Sequence, residues 1–137
     1  MSGPPTTVLR GQGPAVAAVA AGGILGSLAR WAVGLALPTA PGGFPWGTVG
    51  INVLGSLLMG VLVVVVTEVR AAHPLARPFL GTGVLGGFTT FSTFAVDAQT
   101  LLLGGHRATA LAALGATIVG AVGACALAMA VTRRVTR

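Results

Sequence analysis

Neither lysine nor tyrosine occurs in this chain, and its 137 residues include one cysteine, two acids and two histidines. Cys125 has no partner for a disulfide framework, and its place in an apolar run suits packing. Glu68 and Asp97 lie 29 positions apart in the sequence, and no Cys–His set, Ser–His–acid set or strand-to-helix phosphate loop accompanies them, so catalysis is not expected. His73 lacks a cysteine, aspartate or second histidine at ligand spacing, which leaves no basis for a metal site there. Positive charge rests on eight arginines alone, for a net charge of +6. Binding to nucleic acid would need a basic face on a water-soluble fold, whereas only 7% of these residues are charged and 54% are hydrophobic.

What the chain does have is long apolar runs, 22 glycines and a mean hydropathy of +0.92. Charge-free stretches such as Trp31–Thr67 and Ala108–Thr132 exceed the ~20 residues that cross a hydrocarbon core. The pattern predicts an all-α polytopic membrane protein in a bilayer, with four spans at about 14–37, 47–69, 78–103 and 108–131. Residues 1–13, with Pro4, Pro5 and Arg10, read as a disordered or interfacial tail. Residues 133–137 read as a basic C-terminal tail. Arg10 before an apolar run has the look of a signal peptide, but the run reaches Leu37 and three more spans follow, which favours an uncleaved first span.

Polar residues inside the spans are few enough to take one by one. The first span carries Gly22-x-x-x-Gly26, a spacing that lets helix backbones approach closely. Arg30 lies seven residues before Leu37, hence ~10 Å from the helix end. Either it snorkels to the interface, or it faces a watery vestibule and concentrates anions. Asn52, near Gly50, Gly55 and Ser56 in the second span, must satisfy an amide within the membrane, by an interhelical hydrogen bond or by lining an ion path. For Asp97, a functional intramembrane carboxylate and a helix-end group paired with Arg107 or water both stay open.

The third span holds the most unusual stretch, Gly86-Gly87-Phe88-Thr89-Thr90-Phe91-Ser92-Thr93-Phe94. Adjacent glycines weaken a helix by roughly 1 kcal/mol each against alanine, and threonine hydroxyls can cap a new helix start. The expectation is a helix broken at the double glycine, which a membrane tolerates only where protein or a polar cavity surrounds it. Phe91 and Phe94, three apart, project from one face of the following half-helix. Ring edges carry positive character, and with the Ser92, Thr93 and Asn52 donors they suit a small anion better than a cation.

These residues resemble the signature of the CrcB/Fluc fluoride channel family. The likeness extends to Gly26-Ser27-Leu28-Ala29-Arg30-Trp31 and to Gly47-Thr48-Val49-Gly50-Ile51-Asn52-Val53-Leu54-Gly55, and covers the fourth span only by length and Gly120. The resemblance implies passive fluoride export across a bacterial cytoplasmic membrane by an antiparallel, dual-topology dimer with two pores. It further implies a central sodium ion held by backbone carbonyls of Gly86 and Thr89. Phe91, Phe94, Asn52, Ser92, Thr93 and Thr117 would line the pore, and Arg30 the vestibule. The family usually carries a tyrosine in the fourth span, and here that position falls near Ala113, with Thr117 one turn on and Ala121 beyond it.

Two other readings compete. A small multidrug-type proton-coupled exporter needs an acid in its first span, where this chain has Arg30; a non-transporting assembly subunit would leave the third span's interruption without a purpose. Orientation follows from the arginines. Four spans put Arg10, Arg70, Arg77, Arg133, Arg134 and Arg137 on one side and Arg107 on the other, so both termini are expected in the cytoplasm. An antiparallel homodimer needs a bias near zero, and the six-to-one count points instead to a heterodimer with a related subunit.

Overall fold

The computed structural model describes residues 11–69 and 73–136. Arg10, Arg70 and Arg137, and all but the last residues of the expected N-terminal tail, lie outside them. Among the described residues the fold is all helical, with four segments long and apolar enough to cross a membrane: Gly13–Ala36, Trp46–Glu68, Arg77–Leu103 and Arg107–Val135.

Helix α1 (Gly13–Ala36) starts with a proline in its first turn, where the missing N–H costs nothing, and stops short of Pro38. Helix α2 (Trp46–Val64) widens into π-type turns over Val65–Val69. The third span opens in the same wide winding over Arg77–Leu85, tightens to α3 (Gly86–Phe88), stops, and resumes as α4 (Ser92–Leu103). Gly105, at φ +82°, turns the chain into α5 (Arg107–Val135), and the His106 N–H closes the α4 end on the Leu101 carbonyl at 2.8 Å. The residues assigned to a basic tail are therefore helical through Val135. Arg133 and Arg134 sit in the last turn, where cations complement the helix dipole, and Arg133 reaches Glu68 at 2.9 Å across the bundle end.

Glycine decides which helices meet. Helix α1 lies chiefly along the third span, α2 along α5, and α4 leans on α5. A methyl group on Gly22 would strike the Phe79 carbonyl, and one on Gly26 the Val84 carbonyl. From the other side, a Cβ on Gly87 would come within 2.6 Å of the Gly23 carbonyl oxygen. Backbone thus touches backbone, the geometry in which Cα–H groups approach carbonyls across a membrane interface. The second seam is similar: a Cβ on Gly60 would sit 2.5 Å from the Cys125 carbonyl oxygen. The buried core is correspondingly small, with Val64, Ala110 and Ala113 at its centre, while Leu111, Ile118 and Val119 face outward, as lipid-facing side chains do.

Overpacking such a seam costs about 1–3 kcal/mol. Gly26→Ala is expected to lower the temperature at which the detergent-solubilised protein loses its monodisperse elution peak. Gly115→Ala, which meets nothing within 4 Å, is expected to leave it unchanged or raise it.

Candidate functional site

Helical winding stops at Phe88, and Thr89 adopts extended backbone at φ −73°, ψ 157°. The double glycine itself is helical, with Gly86 at φ −65°, ψ −35°. The interruption at Thr89–Phe91 lies inside the expected stretch but after the double glycine, because Gly87 serves the close approach to α1 rather than a loss of helix.

A side chain replaces the missing helical partners. Asn52, buried in α2, donates from Nδ2 to the Thr90 carbonyl at 2.9 Å and accepts the Thr90 N–H on Oδ1 at 2.9 Å. Its amide therefore satisfies both backbone groups of one residue, and one of its two Nδ2 hydrogens remains unused. Thr90, also buried, then organises the start of α4. Its Oγ1 accepts the Thr93 N–H at 3.1 Å, donates to Thr93 Oγ1 at 3.0 Å and lies 3.3 Å from Ser92 Oγ. Since Thr93 Oγ1 is an acceptor in that pair, its own proton is free to point elsewhere. The Thr90 N–H, committed to Asn52, is the donor that a continuous helix would have given the Gly86 carbonyl. Likewise the Thr93 N–H, committed to Thr90 Oγ1, is the donor that would have served the Thr89 carbonyl.

Two cavities meet at Thr90. On one side a cleft of about 390 Å³ is lined by Asn52, Thr89, Phe91, Phe94, Thr117 and Ala121, among others. The Phe91 and Phe94 rings are 5.7 Å apart at a 46° tilt, and Phe91 is 79% exposed. Thr117 Oγ1 donates to the Ala113 carbonyl at 2.8 Å, so its lone pairs face outward and serving an anion requires its hydroxyl to turn. On the other side, a cavity of about 410 Å³ is lined by Arg30, Thr48, Thr93 and Asp97 with parts of α1. Only a gap of about 10 Å³, bordered by Thr48, Phe94, Asp97, Ala113 and Thr117, stands where the fourth-span tyrosine was expected.

Thr90 and Thr48 are the residues that sequence reasoning did not assign to the site. Thr48 Oγ1 donates to Asp97 Oδ2 at 2.6 Å. Asp97 is thus held by a hydroxyl from α2, and the pairing with Arg107 is not formed; the one ion pair among the described residues is Arg133–Glu68. Arg30, half-buried, shares the Asp97 cavity without bonding to that carboxylate. Forty-nine positions separate Thr48 from Asp97, and no local pattern signals the contact. Thr90 carries a signal only as one of the threonines able to cap a helix.

The family model described as "CrcB-like protein, Camphor Resistance (CrcB)" matches residues 17–129, from the first turns of α1 into the last turns of α5. The chain is 56% identical over 126 residues to "Fluoride-specific ion channel FluC 1" of Streptomyces coelicolor, covering 92% of this chain and 82% of that protein. It is 59% identical over 108 residues to a FluC 2 of Streptomyces avermitilis, covering 79% and 68% of the two chains. With a FluC 2 of Thermobifida fusca it shares 49% over 119 residues, 87% of this chain and 88% of that one. With four membrane-crossing segments and a match that spans nearly all of them, the chain is a multi-pass membrane protein and belongs to the CrcB-like family.

Proposed function

We propose that this chain is a subunit of a fluoride-selective anion channel that lowers cytoplasmic fluoride by passive export across a bacterial cytoplasmic membrane, without enzymatic activity. The observation that carries the reading is the cleft where Asn52, Phe91, Phe94 and Thr117 converge, in a chain similar over most of its length to proteins named fluoride-specific ion channels. A small anion leaving water needs donors and positive ring edges close at hand but no fixed countercharge that would trap it. The second Asn52 N–H and the two rings supply these in the cleft, whereas Thr93 lines the adjoining Arg30 cavity and Ser92 lines neither. Arg30 faces the other cavity and would raise the local anion concentration, while the Thr48 hydroxyl draws on the Asp97 charge that would repel it.

One chain leaves this path open on a side. Phe91, Ser92 and Thr93 are exposed, and a second, antiparallel subunit would provide the missing wall. At the crossing of two such chains the Gly86 and Thr89 carbonyls, stripped of their helical donors, fit a sodium ion. When bound, that ion would satisfy oxygens that lipid cannot. The arginine bias favours a related subunit of opposite orientation as the partner, although the buried Ala113 and the gap of about 10 Å³ beside it leave no room for that subunit to supply the missing phenol.

Liposomes holding the assembled protein are expected to release fluoride and retain chloride; fluoride-tight liposomes with confirmed dimers would exclude the channel. Phe91→Ile should cut flux by about tenfold or more, the worth of one ~1.4 kcal/mol contact, with assembly intact. Asn52→Ala should lose flux and stability together, because it strands two buried backbone groups at about 1–3 kcal/mol each. Equal thermal stability of Asn52→Ala and wild type would show that the amide does not hold Thr90.

Replacing sodium by a large organic cation throughout purification should weaken the dimer or its flux, and indifference to sodium would remove Gly86 and Thr89 as ligands.

Single cysteines at Ser2 and Thr136, on a Cys125→Ser background, are expected to react only from the cytoplasmic side. Outside labelling of a substantial fraction, with fluoride flux from the chain expressed alone, would establish a dual-topology homodimer instead.

A further inference from the structure

At the arginine-rich end of the bundle, α2 and the start of the third span diverge, because each packs mainly on another helix, α5 and α1 respectively. The divergence leaves a groove of about 270 Å³ whose floor includes Met59, Leu62 and Val66 and whose mouth holds Arg77, with the Thr82 hydroxyl about one turn deeper. From Thr67 to Met59 the groove descends roughly 12 Å along α2. Its apolar depth and single cation at the mouth have the polarity of one phospholipid, headgroup outward and acyl chain inward.

Charge selects which phospholipid. Glu68 is the only acid at this end, and Arg133 already engages it through Nε at 2.9 and 3.2 Å and through Nη2 at 2.9 Å. Arg77 has no carboxylate partner among the described residues, and Arg134 adds a further positive charge at the same end. A zwitterionic headgroup would bring its own cation into this surplus, whereas an anionic one would neutralise it. We propose that the groove between α2 and the third span is a binding site for an anionic phospholipid, whose phosphate pairs with Arg77 and whose acyl chain fills the apolar floor. A lipid wedged there would support the two spans where they have little contact with each other, below the interruption that Asn52 closes.

Native mass spectrometry of the intact protein, titrated with dioleoylphosphatidylglycerol or dioleoylphosphatidylcholine, tests this directly. One arginine near an anionic lipid surface is worth a preference of about fivefold. Wild type should favour phosphatidylglycerol by about that factor, Arg77→Gln should bind the two lipids alike, and Arg77→Lys should keep part of the preference. If Arg134→Gln erases the preference as fully as Arg77→Gln does, the charge of the whole end is responsible and the site is refuted. Thr82→Cys, with Cys125→Ser, locates the occupant. Maleimide protection by phosphatidylglycerol but not by phosphatidylcholine supports the proposal. Cross-linking of Thr82→Cys between two copies, or protection in both lipids alike, would show that protein covers the groove and would overturn it.

Discussion

The structure depends on one side-chain amide taking the place of two backbone hydrogen bonds. In a bilayer core no water stands ready to satisfy a peptide group, so a span that leaves the helix at Thr89 must find partners from another element. Asn52 offers a donor and an acceptor in the fixed geometry of an amide, and Thr90 receives both at 2.9 Å. Few other side chains could do this: aspartate lacks the donor, leucine lacks both, and glutamine would start one methylene further out. By occupying the Thr90 N–H, Asn52 also releases the Gly86 carbonyl, while the Thr90 hydroxyl releases that of Thr89 by taking the Thr93 N–H. The same contacts that stabilise the interruption create its unpaired oxygens.

Glycine placement makes that contact possible. Asn52 reaches Thr90 only if α2 and the third span are held at a fixed height, and their direct packing is slight. Height is set instead through the neighbours: Gly22, Gly26, Gly83 and Gly87 seat the third span against α1, and Gly60 and Gly120 seat α2 against α5. Helix α4, leaning on α5, ties the two pairs together. Uniform lipid-facing apolarity contributes little to this specificity, because leucine and valine are equally content against lipid or against another helix.

That division explains what could be read from the sequence. Long apolar runs, bounded by prolines at the first three, mark the four spans because the hydrocarbon core imposes their length. Pairing of the helices is hidden, since hydropathy varies little around each of them; Gly22-x-x-x-Gly26 announces a close contact without naming its partner. The Phe91–Phe94 pair, Asn52 and Thr117 were legible as unusual polar or aromatic residues in lipid-like surroundings, and the structure brings all four to one cleft. Asp97 was visible but its partner was not. A hydrogen bond from Thr48, 49 positions away, depends on the tertiary arrangement alone. The wide winding over Arg77–Leu85 had no marker either, since nothing in Pro78–Leu85 departs from ordinary helix composition beyond its two glycines.

The surface left over bears on the state in which such a chain works. A phenylalanine 79% exposed beside the hydroxyls of Ser92 and Thr93 is a poor surface to offer lipid, because those hydroxyls share only Thr90 Oγ1 as a partner and keep hydrogen-bonding capacity that lipid cannot use. The four residues that converge on the cleft belong to three different spans, yet they enclose it on one side only. On the proposed function, a second chain in the opposite sense would close it, and the proposed sodium ion would serve the Gly86 and Thr89 carbonyls that the interruption frees. An uneven arginine count opposes equal insertion in both senses. On the proposed function, an inverted neighbour would close the cleft, and the six-to-one arginine count expected from the sequence would favour a related subunit of opposite bias over a second copy of this chain.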